Sequence, residues 1–210
     1  MSVVDPGMRA YYEARAAEYD DWFSGTGAFA TRTRPGWRGD VRGLVAALAA
    51  LPPARTLDVA CGTAFLGRHL PGEITAIDQS PGMVAIAAAR MPEAEVHEGE
   101  AVPLPFADGA FQRVTTGHFY GHLRAGEREA FLAEARRVAG ELVVIDSALR
   151  DDVAPEEDQE RRLSDGTRHV VYKRFFTPEG LARELGGGET VFAGAYFVAV
   201  RCRFGPSAFV

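Results

Sequence analysis

The stretch "RTLDVACGTAFLGRHLPGEITAIDQSPGMV" (residues 55–84) contains two short apolar runs, each followed by turn-forming residues. The run "RTLDVA" leads into Gly62, and the run "EITAID" ends at Asp78. After the second run, Ser80 and Pro81 are typical of the first turn of a helix, since serine caps backbone N–H groups and proline fits the N1 position. The stretch therefore predicts a strand, a glycine turn, a helix, a second strand and a second helix.

The same alternation continues along the chain. Further strands are predicted at "AEVHEG", "FQRVTTG" and "ELVVID", with a helix over residues 127–138. Strands that alternate with helices of this length imply right-handed crossovers and a doubly wound sheet. The C-terminal "ETVFAGAYFVAVRC" is expected to form two antiparallel strands that turn near Gly194. The predicted fold class is α/β, with a Rossmann-like, mostly parallel sheet.

Other segments lie outside this alternation. Aromatic residues at helical spacing predict one amphipathic helix over residues 9–23, and a second helix is expected over residues 38–51. The charge-rich segment 151–165 is expected to be a surface excursion or a helical insert. The following "HVVYKRFF" reads as a strand or an extended segment, and Thr177 as the cap of a further helix.

The composition restricts the class of protein. A chain of 210 residues with 47% hydrophobic and 25% charged residues suits one globular domain, or one domain with a small appendage. Since no apolar run reaches the roughly 20 residues that cross a membrane, and charges interrupt the N-terminal region, we expect a cytoplasmic protein without membrane association. The net charge of −6 argues against nucleic-acid binding. Cys61 and Cys202 predict neither a disulfide framework nor a metal cluster.

Gly62 and Asp78 are the first candidates for ligand binding. Ligands of doubly wound sheets bind beyond the carboxyl ends of the strands, where these two residues are expected to meet. Gly62 permits a tight turn, and a helix beginning near Phe65 would offer free N–H groups to a ligand. Asp78, 16 residues beyond Gly62, could accept hydrogen bonds from both hydroxyls of a ribose. The alternative is that Asp78 only caps the next helix.

The turn also departs from the dinucleotide-binding fingerprint. Written in that form it is Gly62-x-Ala64-x-x-Gly67. The second glycine of the fingerprint lets a pyrophosphate approach the backbone closely. We expect the methyl group of Ala64 to obstruct a diphosphate and to leave room for a nucleoside without phosphates. The turn therefore disfavours NAD and FAD.

The motifs "LDVACGT", "AIDQSPGMV", "EGEAVPLPFADGAFQRV" and "RVAGELVVID" follow one another in a familiar order. Through them the chain resembles the class I S-adenosylmethionine-dependent methyltransferases over about residues 40–147, most closely the small-molecule branch that includes the ubiquinone/menaquinone-type enzymes. The resemblance implies seven strands with a C-terminal antiparallel hairpin. It also suggests an N-terminal helical lid over residues 1–37 and a methyltransferase domain over residues 38–210, with a substrate-side insert at residues 148–176.

The resemblance further implies which residues meet the cofactor, S-adenosylmethionine, and its product, S-adenosylhomocysteine. By position in the motifs, the expected contacts are Asp58, Ala60, Gly62, Ala64, Asp78, Gln79, Glu100, Ala101 and Thr116. Asp78 matches the acid that binds the ribose, and Glu100 the acid that meets the adenine amino group. Ala60 and Ala64 replace glycines that are common in the family, and Glu100 is one methylene longer than the usual aspartate.

Methyl transfer from a sulfonium group depends mainly on alignment of donor and acceptor, and a base is needed only when the acceptor loses a proton. The segment "TTGHFYGHL" supplies three catalytic candidates, His118, Tyr120 and His122, each of which could instead have a structural role.

Aromatic residues of the first helix could simply pack on the sheet domain, or, as the resemblance suggests, form a lid that excludes water and faces the sulfonium. Tyr11 and Tyr19 are expected at the cofactor, and Tyr12, Trp22 and Phe23 at the walls of the substrate pocket. Asp146 could anchor the substrate or act as a cap. Lys173 and Arg174 could hold an acidic substrate or be solvated, and Arg174 is placed with the pocket.

The expected function is methyl transfer from S-adenosylmethionine to a small-molecule acceptor, by a monomer or homodimer and without a metal. Two alternatives stay open. One is a protein of the same fold that binds S-adenosylmethionine without methyl transfer. The other is a nicotinamide-dependent oxidoreductase, which Ala64 and the "GEAVPLPF" segment disfavour.

Overall fold

The computed structural model describes residues 6–205. Their strands are β1 (Thr56–Val59), β2 (Ile74–Asp78), β3 (Glu95–Glu98), β4 (Phe111–Gly117), β5 (Ala139–Ser147), β6 (Glu156–Arg162), β7 (Arg168–Arg174), β8 (Glu189–Ala193) and β9 (Phe197–Arg203). Their α-helices are α1 (Pro6–Arg15), α2 (Asp21–Ser24), α3 (Trp37–Ala49), α4 (Pro81–Arg90), α5 (Ala125–Val138) and α6 (Pro178–Glu184).

A seven-stranded sheet in the order β3-β2-β1-β4-β5-β9-β8 forms the centre of the protein. The strands from β3 to β5 are parallel, whereas β9 runs antiparallel to both β5 and β8. This confirms the predicted fold class, including the C-terminal antiparallel hairpin. Ser80 caps α4 as predicted, because its Oγ accepts a hydrogen bond of 3.1 Å from the Met83 N–H.

Both faces of the sheet are covered, as the alternation of side chains along β5 shows. Val143 and Ile145 pack with buried residues of α3, whereas Leu142 and Val144 belong to the core on the opposite face, with Phe131 of α5. Because successive side chains of a strand point to opposite faces, a strand buried on both sides is a continuous apolar run. This explains why "ELVVID" lacks alternation between apolar and polar residues.

The structure contradicts two of the helix predictions. The chain after Gly62 forms turns and a short 3-10 segment, Gly67–His69, instead of a helix beginning near Phe65. The expected helix over residues 9–23 is interrupted, since α1 ends at Arg15 and a 3-10 segment, Ala16–Glu18, separates it from α2. The aromatic residues of this segment therefore do not share one helical face.

The charge-rich segment before "HVVYKRFF" is not a helix either. It forms β6, which pairs antiparallel with β7 from Glu156↔Arg174 to Arg162↔Arg168. This two-stranded hairpin is separate from the central sheet. Charged residues alternate with half-buried ones along β6, a pattern that suits a strand with one solvated face.

Over residues 6–205, no helix combines the length and the apolar character needed to cross a membrane.

Candidate active site

A cavity of about 310 Å³ lies at the carboxyl ends of the parallel strands. We call it the sheet-end cavity. Its walls include residues that follow β1, β2, β3 and β4 in turn, namely Ala60, Gly62, Asp78, Gln79, Gly99, Glu100, Ala101, Gly117, His118 and Phe119. Ligands of open α/β sheets bind at this end of the strands, so the topology itself marks the cavity as a binding site.

Asp78 fastens the turn after β1 to the turn after β2. Its Oδ2 accepts a hydrogen bond of 2.8 Å from the Gly62 N–H, and its Oδ1 accepts one of 2.9 Å from the Ser80 N–H. The side chain is only 7% exposed, and burial raises the pKa of the carboxyl group against the opposing effect of these N–H donors. Since each carboxylate oxygen has two lone pairs, Asp78 can still accept hydrogen bonds from a ligand in the cavity.

The turn after β1 has a left-handed backbone at alternate residues. Ala60, Gly62 and Ala64 have φ angles of 53°, 54° and 56°. Glycine adopts this conformation without a steric penalty, whereas alanine is disfavoured by about 1–2 kcal/mol. The geometry therefore gives a physical reason why glycine suits all three positions.

Ala64 does not line the cavity. Its methyl group is fully buried behind the turn, in a cluster with Ala76, Ala87 and Met91. This corrects the expectation that the side chain stands in the path of a ligand phosphate. Ala60, in contrast, lies in the cavity wall.

Asp58 and Thr116 also lie behind the cavity wall. Asp58 accepts a hydrogen bond of 3.2 Å from the Thr115 hydroxyl, and burial raises the pKa of its carboxyl group to about 7. Its Oδ2 lies 2.2 Å from the point that a Cβ on Gly67 would occupy, so the carboxyl group points beneath the turn. Thr116 is fully buried, and its hydroxyl has no hydrogen-bond partner among the described residues. Neither side chain lines the cavity, and the expected contact of both residues with the cofactor stays a prediction.

A second, larger space of about 1350 Å³ lies between the N-terminal segment and the β6–β7 hairpin. We call it the hairpin crevice. It shares five wall residues with the sheet-end cavity, namely Tyr12, Tyr19, His118, His122 and Asp158. A molecule in each space would therefore meet the other at these side chains.

His118 is buried, with 7% of its surface exposed, and its Nε2 has no hydrogen-bond partner among the described residues. The pKa of His118 is lowered to about 3, mainly by burial and also by the charges of Lys173, Arg15 and Arg161. Asp146, whose Oδ1 lies 3.9 Å from the His118 Nδ1, opposes this shift. The imidazole is therefore neutral near pH 7.

His122 has a defined tautomer. Its Nδ1 lies 2.7 Å from the carbonyl oxygen of Tyr172, and because a carbonyl oxygen only accepts, Nδ1 must donate. Burial lowers the pKa of His122 well below its usual value, so the ring is neutral and Nε2 keeps its lone pair. His122 therefore presents a base at the junction of the two spaces.

The third catalytic candidate lies elsewhere. Tyr120 is fully buried, donates a hydrogen bond of 3.2 Å to Glu184 Oε1 and packs near Phe131 and Phe176. It lines neither space. The expectation that Tyr120 lies over the crevice is therefore corrected: Tyr120 belongs to the core under α5 and α6.

Polar contacts attach the N-terminal segment to the site. Asp20 Oδ1 accepts a hydrogen bond of 2.6 Å from the Thr63 hydroxyl, and Asp20 Oδ2 lies 2.7 Å from Arg90 Nη2. Glu13 Oε2 accepts hydrogen bonds of 2.6 Å from the Ser80 hydroxyl and 3.0 Å from the Gly82 N–H. These contacts lie beside the turns that Asp78 joins.

The comparisons with known proteins agree with this geometry. A family model described as a methyltransferase domain matches residues 56–141, which run from β1 into β5. The solved DhpI-SAM-HEP complex is 26% identical, with a TM-score of 0.75 over 94% of this chain and 96% of that chain.

Residues 56–141 are therefore similar to a methyltransferase domain, and the chain has the fold of the class I S-adenosylmethionine-dependent methyltransferases.

Curated relatives match about half of the chain. The demethylmenaquinone methyltransferase of Renibacterium salmoninarum is 37% identical over 114 residues, 51% of this chain and 46% of the relative. The ajmaline N-methyltransferase of Rauvolfia serpentina is 34% identical over 127 residues, 53% of this chain and 43% of the relative. The chain thus spans less than half the length of these relatives.

The structure places the N-terminal aromatic residues differently from the sequence expectation. Tyr19 lines the sheet-end cavity, 3.5 Å from the point that a Cβ on Gly62 would occupy. Tyr11, also expected at the cofactor, lines only the hairpin crevice, whereas Tyr12 lines both spaces. Tyr11 and Tyr12 are successive residues of α1, whose side chains point about 100° apart around the helix axis, so only one of them faces the cavity.

Two of the four remaining expected pocket residues form polar contacts inside the protein. Asp146 is fully buried, pairs with Lys173 and accepts hydrogen bonds from the N–H groups of Gly121 and Ser147. Arg174 pairs with Glu184, 3.1 Å away, and with a second carboxylate on β6. Neither lines the crevice, whereas Lys173 does. The expectation that Asp146 and Arg174 face a substrate is therefore corrected.

Of the last two expected pocket residues, Trp22 lines a space of the site and Phe23 does not. Trp22 lines the hairpin crevice and contacts His118 edge to face, with ring centroids 4.7 Å apart. Phe23 is buried and stacks on Phe65 at 4.0 Å, outside both spaces. Phe23 therefore contributes to the core under the segment, in correction of the expected pocket wall.

Sequence reasoning missed residues that the hairpin and the N-terminal segment bring to the site. They include Met8, Arg15, Leu123, Arg124, Glu127, Gln159, Arg161, Val170 and Tyr172. Gln159 and Arg161 are the half-buried positions of β6, but "EEDQERR" is polar throughout and has no alternation of apolar and polar residues that could have located Arg161. Nothing local distinguishes Arg15 from other arginines.

Proposed function

We propose that this chain transfers a methyl group from S-adenosylmethionine to a small organic acceptor. The observation that carries the proposal is the junction of two spaces, one at the nucleotide-binding end of the sheet and one under the N-terminal segment, at His118, His122, Tyr12 and Tyr19. The DhpI relative forms a complex with SAM and HEP in the same fold, which supports a donor site in this chain.

The residues of the sheet-end cavity fit the donor. Asp78 would accept hydrogen bonds from the ribose hydroxyls, and Glu100 and Ala101 would border the adenine. Ala60 and Gly62 line the cavity with exposed backbone, where the amino-acid portion can pass closely. When bound, S-adenosylmethionine would supply a sulfonium methyl group that is open to in-line displacement.

The neutral histidines would serve the acceptor. His122 Nε2 can accept the proton that an oxygen, nitrogen or carbon acceptor loses as its new bond to the methyl group forms. His118, with its unpaired Nε2, can accept a hydrogen bond that orients the acceptor. Most of the rate enhancement would come from alignment, since displacement at a methyl group needs little other chemistry.

The N-terminal segment would act as a lid and the β6–β7 hairpin as the opposite wall of the acceptor site. Tyr12 and Tyr19 border the place where the two ligands would meet, and their rings can face a sulfonium. The contacts of Asp20 with Thr63 and Arg90 hold the segment against the cofactor turn. This arrangement supports the exclusion of water from the reacting atoms.

Binding of S-adenosylhomocysteine tests the donor site. It should raise the melting temperature of the wild-type protein, and Asp78→Asn should remove most of that increase, because the amide loses the charge and part of the acceptor capacity. Asp151→Asn, at an exposed position of equal charge, is the matched control. Glu100→Gln changes another residue of the cavity wall and leaves the hydrogen bond between Asp78 and Gly62 in place. Absence of any stabilisation of the wild type would refute the proposal.

Turnover is the second readout. Release of S-adenosylhomocysteine with a panel of small acceptors should be detectable for the wild type and reduced about 100-fold or more in His122→Gln. Tight donor binding without turnover on any acceptor would favour the alternative of a binding protein. A cytoplasmic location and a monomeric or homodimeric state stay predictions.

A further inference from the structure

Arg15 is a buried cation at the wall of the hairpin crevice. Its side chain is 5% exposed, and no carboxylate lies within ion-pair distance among the residues that the structure describes. Its Nη1 donates a hydrogen bond of 2.8 Å to the Tyr11 hydroxyl, and its guanidinium lies 5.0 Å from the Tyr19 ring and 5.7 Å from the Phe29 ring. A buried charge without a counterion destabilises the folded state. A bound anion would supply that counterion to Arg15.

Arg161 supplies a second uncompensated guanidinium from the opposite wall. It lies on β6, is half-buried and donates from Nε and Nη2 to the single Gln159 Oε1, at 3.1 Å and 2.6 Å. Over residues 6–205 it forms no ion pair. Arg15 and Arg161 both lower the pKa of His118, so the two cations act on the same point at the junction with the sheet-end cavity.

Three further arginines line the crevice: Arg34 donates a hydrogen bond of 3.1 Å to the Trp22 carbonyl oxygen and lies 3.6 Å from the Trp37 ring, and Arg32 and Arg162 are exposed. Other charged groups of the crevice have charged or polar partners. Lys173 is neutralised by Asp146, and Arg150 pairs with Asp152 at 2.9 Å. The remaining carboxylates in the crevice wall have partners of their own: Glu18 with the Ser164 N–H, Glu157 with Gln159, Asp158 with Arg124, and Glu160 with Arg168. Each of these last three is exposed. The interior of the crevice therefore carries a net positive charge although the chain as a whole has a charge of −6.

We propose that the acceptor is an anion, whose carboxylate or tetrahedral oxyanion is bound between Arg15 of α1 and Arg161 of β6. The proposal rests on the proposed function, because it assigns the substrate class of that site. Guanidinium groups bind such oxyanions through paired, charge-assisted hydrogen bonds, and aromatic neighbours hold the fork of Arg15 in place. An anion fixed here would carry its nucleophilic atom towards His118 and His122.

Anion binding to the S-adenosylhomocysteine complex tests this assignment. The probes are inorganic phosphate and acetate, with acetamide as the neutral counterpart of acetate, measured by calorimetry at constant ionic strength. At least one anion should bind the wild type, and acetamide should not. Arg15→Met and Arg161→Met should each weaken anion binding by about 10- to 100-fold, the loss expected for hydrogen bonds to a charged group.

Arg42→Met is the matched control, since it removes an equal charge from an exposed position of α3 outside the crevice. It should bind the anions as the wild type does. Arg15→Lys should retain part of the affinity, because the charge stays and the fork is lost. Since Arg161 is only half-buried, Arg161→Met keeps the test valid if Arg15→Met fails to fold.

The outcomes separate the two proposals. Anion affinities that are equal in Arg15→Met, Arg161→Met and Arg42→Met would overturn the anionic acceptor, as would failure of both anions to bind. Preference for phosphate over acetate would assign a tetrahedral oxyanion, and the reverse a carboxylate. If S-adenosylhomocysteine itself does not bind the wild type, the proposed methyl transfer fails first and independently.

Discussion

The ammonium group of Lys173 on β7 pairs with the carboxylate of Asp146 at the end of β5, and neither side chain is more than 4% exposed. The pair joins the hairpin to the central sheet directly beside His118. Removal of one partner leaves the other as an unpaired buried charge. We therefore expect Lys173→Met to lower the free energy of unfolding by about 3–5 kcal/mol, measured by urea denaturation.

A double-mutant cycle isolates this pair. The double variant Lys173→Met, Asp146→Asn should lose clearly less free energy of unfolding than the sum of the losses in the two single variants, because no unpaired charge remains. Additive costs would show that the ion pair itself contributes nothing. Asp146→Asn alone also weakens the hydrogen bonds from Gly121 and Ser147, which is why the coupling energy is the quantity to compare.

Burial of His118 predicts an acid-sensitive fold. Its pKa is about 3 in the folded chain and about 6.5 when unfolded. The unfolded state therefore binds the proton first, and stability that is present above pH 6.5 is lost as the pH falls towards 3. As the pH falls from 7.5 to 5, protonation linked to this histidine should lower the free energy of unfolding by about 2 kcal/mol.

His118→Asn should lose less stability over this interval, and asparagine tolerates the left-handed φ of 57° at this position. His97→Asn, at an exposed histidine, is the control. Equal pH dependence in His118→Asn and the wild type would contradict the assignment.

Asp58 predicts the opposite trend. Its pKa is about 7 in the folded chain and about 3.9 when unfolded, so the folded state holds the proton more tightly. The stability linked to this group is fully present below about pH 4 and is lost as the pH rises through 7. Between pH 5 and pH 8 the free energy of unfolding should therefore fall by about 3 kcal/mol less in Asp58→Asn than in the wild type, as measured by urea denaturation. The exposed Asp151→Asn should behave as the wild type, and an identical profile for Asp58→Asn would refute the prediction.

The alanines of the cofactor turn should respond differently to glycine. Ala60 and Ala64 have nearly the same positive φ, so glycine relieves the same strain in both. Ala60 is half-buried, and Ala60→Gly should raise the free energy of unfolding by about 0.5–1 kcal/mol after the entropy of glycine is included. Ala64→Gly also removes a fully buried methyl group, worth about 0.8 kcal/mol, and should be nearly neutral. Equal thermal shifts in both variants would show that burial of Ala64 has no energetic effect.

The contacts of Asp20 predict a role for the N-terminal segment in donor binding. Asp20→Ala removes the bonds to Thr63 and Arg90, and the segment that carries Tyr12 and Tyr19 should then cover the cavity less tightly. We expect S-adenosylhomocysteine to bind about tenfold more weakly by calorimetry, as for loss of a charge-assisted contact. Asp21→Ala, on the neighbouring residue of α2, is the control. Unchanged affinity in Asp20→Ala would argue against the lid.

The amino-acid sequence by itself determined the central sheet. The apolar runs of β1, β2, β4 and β5, the Ser80 cap and the turn at Gly194 are local signals, because strand period and turn chemistry act over a few neighbouring residues. Once the order of the elements was known, the position of Gly62 and Asp78 at one end of the sheet followed from topology.

Only the tertiary structure decided which side chains face the two spaces. Asp58, Ala64 and Tyr120 turn away from the site, although each lies within two residues of one that lines it. The direction of a side chain in a turn depends on the elements packed against it, and these are distant in sequence.

The β6–β7 hairpin is a second feature that the sequence alone did not determine. A segment of charged residues became β6 because β7 offers it backbone partners, and this pairing brought Arg161 into the wall of the crevice that Arg15 also lines, a space of about 1350 Å³. The charge of each arginine follows from the sequence. Over residues 6–205 no carboxylate lies within ion-pair distance of either guanidinium group, and packing alone decides this.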